Sequence, residues 1–395
     1  MALEGVLQEG LGDLVGADLG DTQRALASLW LKEGGLAFGG LGDRSAPAFL
    51  ASWAACLEHV AAQVGASSLE GFRSRCSTLS SDLDRAERDL RVAGGNGGRP
   101  LDWTRWFGEA DRRLQGVWGR EVSEAKREAL LRDLPDEDAA DFRSHGGPGS
   151  GNFLLPAQEG LPAMPGSHFQ VALCDRLLLP VCPEGAFCQH RRSNGTLCGA
   201  PLDRRGHHAR KCPVGGALAQ RHDRLRDHGA HSWTVCTGLP AGTEQRVPEW
   251  DRDIPDPERP GETVRQEAVL DIVSADPVTG QPVHVDVTVT TTCPADRADL
   301  RGRARHDGRG AAAAAADKRR RYNLAGASLV PMAFEDGGRA CEETASFIRR
   351  CGAAAEQRGV YATEGGLSAT ARLWQEYSTL LQLGNAELVL SANGR

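Results

Sequence analysis

Lysine is nearly absent: Lys32, Lys126, Lys211 and Lys318 are the four among 46 basic residues. Tyrosine and methionine are scarce as well, three of each. With 48 glycines and runs such as Ala311–Ala316, enrichment in arginine, alanine or glycine says little by itself, and a retained lysine says more. Positive excess is also missing. The 46 basic and 53 acidic residues leave a net charge of −7, so no global field draws the chain to nucleic acid. Such binding has to rest on local patches. No apolar run approaches the ~20 residues a membrane helix needs, which excludes a membrane partner of that kind. The first residues lack the basic and apolar regions of a secretory signal. A nuclear or cytoplasmic protein is the expectation, not a secreted one. In a reducing compartment, a local cluster among the 11 cysteines reads as a metal site sooner than as a disulfide framework.

At about 150 residues per domain, the 395 residues suggest two to three domains. Residues 1–90 have helical periodicity; in 46–64, Phe49, Trp53, Cys56 and Val60 fall on one stripe. Residues 91–165 read as a linker with amphipathic helices, ending in a Gly/Pro-rich stretch at 144–167. A lead-in helix and a Cys/His cluster occupy 166–215. From 216 to 350 the pattern alternates helix and β-prone runs: 243–247, 267–275, 282–291 and 328–334, with a basic helical stretch at 295–323. Residues 351–395 read as a tail with one helix. The fold class expected is α/β, α+β overall.

The segment FCQHRRSNGTLCGAPLDRRGHHARKC offers Cys188, Cys198, His208 and Cys212 as three thiolates and an imidazole, a set that suits tetrahedral Zn2+. His208 and Cys212 are four apart, one helical turn. Cys182, His190 and His207 are rival ligands, and nine residues separate Cys188 from Cys198. Arg191, Arg192, Arg204, Arg205, Arg210, Lys211, Arg221, Arg224 and Arg226 outnumber Asp203, Asp223 and Asp227 in 187–230. That patch is able to meet phosphates.

Two β-prone runs flank the turn Asp276-Pro277-Val278-Thr279-Gly280. The midpoint between Asp271 and Asp286 lies inside that turn, so a symmetric hairpin sets these carboxylates opposite each other, Cβ atoms ~5 Å apart. Two such carboxylates repel, and a divalent cation between them, Mg2+ or Mn2+, offsets the cost. Glu244 is a third candidate acid. Lys318 and Tyr322 share one face of the basic helix. A lysine beside a metal can orient water or stabilise charge on a phosphoryl transition state.

The order of these pieces resembles the C-terminal part of non-LTR retrotransposon polyproteins with a restriction-like endonuclease. HFQVALCDRLLLP, CGAPLDRRGHHARKCPVGG, QRHDRLRD, TEQRVP, EAVLDIV and VHVDVTV carry the likeness, which covers roughly 25–60 and 166–350. Residues 1–90 resemble the segment that follows the reverse transcriptase in such chains, but no [FY]-x-D-D polymerase motif is present. The resemblance implies a CCHC zinc knuckle and a PD-(D/E)xK-type nuclease, a small mixed sheet flanked by helices, that nicks DNA by metal-assisted water attack. It casts Asp271 and Asp286 as ligands of the catalytic metal and Glu244 as an accessory acid. Thr288 stands where a simple D-x-K has lysine, so Lys318 serves from the helix, with Tyr322 beside it. Arg221 and His222 belong to an entry helix. With Arg204, Arg205, Arg210, Lys211, Arg319 and Arg320 they are the nucleic-acid-binding candidates. DNA is the implied partner, with element RNA and a separate reverse transcriptase beyond it. The alternative is a remnant that binds nucleic acid without chemistry.

Overall fold

The computed structural model describes the chain except residues 1, 39, 107–112, 157–162, 257, 260, 323–327 and 362–365. It divides into two compact units, Met1–Leu134 and Pro135–Arg395.

The first unit is helical: α1 (Ala2–Val15), α2 (Asp21–Ser28), α3 (Leu41–Gln63), α4 (Leu69–Arg75), α5 (Ser77–Val92), α6 (Trp103–Trp106) and α7 (Leu114–Asp133). On α3 the buried stripe is Leu50, Ala54, Leu57 and Ala61. Phe49, Trp53 and Val60 flank it, only partly buried. The expected stripe is thus rotated by one residue, because the small alanines let α5 and α7 approach closely while the larger rings close the flanks. Trp103, Trp106 and Trp118 pack edge-to-face, with centroids 5.2 and 5.7 Å apart. This aromatic stack ties α6 and α7, in the stretch expected as linker, into the core of the first unit.

The second unit is built around a four-stranded mixed sheet of order β1 (Gly242–Arg246), β4 (Val269–Ala275), β5 (Pro282–Thr290), β6 (Leu329–Glu335). β1–β4 and β4–β5 are antiparallel; β5–β6 is parallel. The parallel pair needs a crossover, supplied by α12 (Arg297–Arg305) and α13 (Arg309–Arg321). β2 (Arg252–Pro255) and β3 (Thr263–Gln266) form a separate hairpin. The other helices are α8 (Asp136–Ser144), α9 (Gly166–Arg176), α10 (His207–Lys211), α11 (Ala217–Thr237), α14 (Glu342–Gln357) and α15 (Ala369–Ala392). Alternation along the strands gives the sheet two unlike faces. Ile272, Val283, Val285, Val287, Met332 and Phe334 pack on α11, α14 and α15 through Leu225, Trp233, Phe347, Ile348, Leu373 and Tyr377. On the opposite face Ala311 and Ala315 of α13 pack on Ala333.

Two boundaries drawn from composition shift. Residues 144–156, inside the stretch expected to lack order, bury Ser144, His145, Ser150 and Phe153 in the second unit. The tail is no appendage. α15 is buried nearly all round, at Leu373, Tyr377, Leu381, Ala386, Leu388 and Val389, and packs on α9, α11 and α14. A helix buried on every side belongs inside a domain, and its polar residues Gln375, Gln382 and Asn385 hydrogen-bond backbone carbonyls there. Among the described residues no helix is long and apolar enough to cross a membrane.

Candidate functional site

The β4–β5 register runs Ala275↔Pro282 to Ile272↔Val285. One step further brings Asp271 to Asp286. There the ladder gives way: Asp271 Oδ2 accepts the backbone N–H of Val287 at 2.6 Å, so a carboxylate stands in for a strand acceptor. His222 of α11 comes to the same oxygen, Nε2 at 3.2 Å, and its Nδ1 lies 3.3 Å from Asp223. Lys318 Nζ donates to Asp286 Oδ1 at 2.6 Å. Asp286 Oδ2 is buried with no partner.

The two acids differ in environment. Burial raises Asp271, but the His222 hydrogen bond and charge and the Val287 N–H outweigh it, so its pKa lies below the ordinary value. Burial pushes Asp286 up to about 6; Lys318 opposes this and the adjoining Asp271 carboxyl adds to it. A buried, orphaned carboxylate oxygen beside a second carboxylate is a donor set for a hard cation. Tyr322 caps the end of α13, buried against Trp250 (centroids 5.6 Å) and Asp286. Trp250 also packs on His284, 4.4 Å away.

Glu244 is not gathered in with the pair. It lies on β1, exposed, with φ +51°, and Arg226 holds its carboxylate. His222, a nucleic-acid-binding candidate on the entry helix, lies against Asp271. The signal was its place on α11 two residues before Arg224, on the side of the helix away from it.

The Cys/His cluster closes as a four-donor group: Cys188, Cys198, His208 and Cys212 donor atoms all lie within 4.8 Å of one another. Cys188–Cys212 and Cys198–Cys212 sulfurs are 3.9 and 3.6 Å apart, and Cys198 Sγ is 3.5 Å from His208 Nε2. A tetrahedron with Zn–S bonds of ~2.3 Å has S···S edges of about 3.8 Å. Each sulfur also accepts the backbone N–H two residues on, from His190, Ala200 and Val214. Such N–H groups favour thiolates. The long gap between the first two cysteines is a narrow antiparallel loop, bridged at Phe187↔Pro201 and Arg191↔Leu197, which brings its ends together. Gly199 follows Cys198 at φ +65°, a left-handed turn suited to glycine.

The rival ligands are engaged elsewhere. Cys182 takes Asn393, and His190 Nε2 takes Ser391 and the Leu388 carbonyl. His207 meets Asp141 at 2.8 Å and Cys293 at 3.3 Å. Those three form a second group of close donors. Arg205 also bonds Asp141, and Arg210 pairs with Asp175 and lies 3.5 Å from Asp336. Burial disfavours the His207 cation, but Asp141 and Asp203 outweigh it and push its pKa up to about 12. With these cations around it, this group forms an ion-paired joint.

This corrects three nucleic-acid candidates. Arg205 and Arg210 are spent in the joint. Arg221 is buried and bonds Asn385 of α15 at 2.6 Å. The local charge count missed this because Asp141, Asp175 and Asp336 lie in other segments. Arg204 is exposed; Lys211 is exposed and reaches the Cys293 carbonyl at 3.3 Å. Arg319 and Arg320 are exposed on α13, beside Glu343 and Asp317.

Compared with known proteins, the chain matches no protein-family model and no curated protein.

Proposed function

We propose that the second unit is a retrotransposon-derived, metal-dependent DNA endonuclease with a zinc knuckle. The observation that carries this is the Asp271–Asp286 pair with Lys318 on one Asp286 oxygen and the other oxygen buried and unpartnered. The mixed sheet flanked by helices agrees with a PD-(D/E)xK fold, with the lysine supplied from α13 in place of the strand.

The reaction is phosphodiester hydrolysis. A divalent cation, Mg2+ or Mn2+, held by Asp271 and Asp286 would supply Lewis-acid stabilisation of the phosphoryl oxygens. Lys318 holds positive charge where negative charge builds on the phosphate, fixed there by Asp286. Water adds to phosphorus and gives up a proton to solvent, the bond to the 3′ oxygen breaks, and that oxygen takes a proton from solvent. His222 orients Asp271 by occupying the oxygen that also takes the Val287 N–H. Zn2+ on Cys188, Cys198, His208 and Cys212 would be structural, because four protein donors leave no open position.

The second reading, nucleic-acid binding without chemistry, is favoured by one fact: Glu244 is held by Arg226, so two carboxylates remain where three were expected. Nicking of supercoiled plasmid by the full chain with Mg2+ or Mn2+ decides between them. The nuclease predicts metal-dependent nicking lost in Asp286→Ala; absence of nicking by folded, zinc-loaded protein sinks it.

A further inference from the structure

A cavity of about 120 Å³ lies beside Tyr322, at the start of β4 and the base of the β2–β3 hairpin. Buried Trp250, Ala268 and Tyr322 give it an apolar floor, and Val269, 46% exposed, stands at its mouth. A polar group of fixed orientation lines the same cavity. Gln266 Oε1 accepts from Arg252 Nε and Nη2, at 2.9 and 2.7 Å. Arginine only donates, so this fork decides which end of the amide is oxygen. The Gln266 side-chain N–H2 is left without a partner among the described residues. Arg252 is fixed in turn, since its Nη1 donates to the Arg321 carbonyl at 2.9 Å. Glu267, the acid of the lining, lies 3.0 Å from Arg246.

An apolar, partly aromatic floor beside one free N–H donor suits a flat ring with an acceptor on its edge. Size narrows the choice. An enclosed cavity of ~150 Å³ takes one benzene ring. This smaller, open one suits a single six-membered ring and not two fused rings. We infer that the cavity takes one unstacked pyrimidine base of a DNA strand, its ring against Trp250 and Tyr322 and a ring carbonyl accepting from Gln266. That the ring belongs to a strand rests on the proposed function, and the position of the cavity supports it. Tyr322, part of the floor, lies against Asp286. Trp250 packs on His284, which stands two residues before Asp286 on the same face of β5. One side chain therefore separates the cavity from the carboxylates. A phosphate held at Asp286 and a base held in the cavity belong to neighbouring nucleotides, so the cavity selects the base beside the cut.

The test is fluorescence anisotropy of labelled single-stranded oligo-dT and oligo-dA with the full chain, without divalent cations. The readout is the ratio of the two dissociation constants. Wild type is expected to bind oligo-dT about tenfold more tightly. Gln266→Glu keeps an acceptor for Arg252 and removes the free donor. Its added charge repels both oligonucleotides alike, which the ratio cancels. Val269→Phe closes the mouth from an exposed strand position. Each variant should bring the ratio near one, and Arg349→Ala on α14 should keep it. The inference is overturned if wild type binds neither oligonucleotide, if it binds both equally, or if the preference survives either variant. Mapped nick positions separate this inference from the proposed function. Nicking by wild type beside pyrimidines, with the bias lost in Gln266→Glu, supports both. Nicking with no such bias leaves the nuclease and sinks the pocket. A preference lost in both variants of a chain that never nicks sinks the nuclease and leaves the pocket standing.

Discussion

Asp286 accepts Lys318 Nζ on one oxygen and keeps the other bare, so the roles of the two groups can be tested apart. Lys318→Ala leaves the carboxylates in place and removes positive charge from the reacting phosphate. Its plasmid nicking rate is expected to fall by about 10²–10³, with the metal concentration for half-maximal rate little changed. An equal rate would remove Lys318 from the chemistry. The carboxyl raised to about 6 sets a pH dependence. Its sign follows from competition: below that value Asp286 carries a proton, which the cation must displace. Between pH 7 and pH 5 the Mn2+ concentration for half-maximal nicking should rise about tenfold. A midpoint independent of pH would mean that Asp286 does not hold the metal.

The hairpin was legible at the level of elements because a short turn fixes register, and register with a period of two fixes which side chains share a face. The Cys/His cluster was legible in its four donors but not in its closure, since only the antiparallel loop at 187–201 explains the wide spacing. The buried joint escaped a reading by local windows. Arg205, Arg210 and His207 are neighbours in sequence, whereas Asp141, Asp175 and Asp336 come from α8, α9 and the turn after β6. Asp141 accepts from Thr292, Arg205 and His207 at once. Asp141→Asn leaves those cations buried and short of a partner, at a cost of about 3–5 kcal/mol in urea unfolding of the second unit. A loss below about 1 kcal/mol would show that water or relaxation compensates the joint. Cys212→Ser tests the knuckle by a different readout. The purified full chain should carry one zinc by elemental analysis and the variant none, because a site of three donors holds zinc far more weakly.

Two separate cores shape the behaviour of the whole molecule. One is the packing of α3, α5 and α7 around the tryptophan stack, and the other is the sheet with α11, α14 and α15. Composition suggested a linker after residue 90; the long-range contacts of Trp103, Trp106 and Trp118 move the division to Leu134, and no local pattern shows that. Each core removes its own apolar surface from water, so each is expected to melt as its own cooperative unit. Trp118 is buried in the first core, and Trp118→Ala should destabilise it by about 3–5 kcal/mol. Chelation of zinc should act on the other, since Cys188 and Cys212 pack with Val389 of α15. Scanning calorimetry of the full chain then separates the two perturbations: Trp118→Ala lowers one transition and leaves the second in place, and a chelator does the reverse. A single transition moved by both would mean that the two cores unfold as one, and the division at Leu134 would then have no thermodynamic meaning.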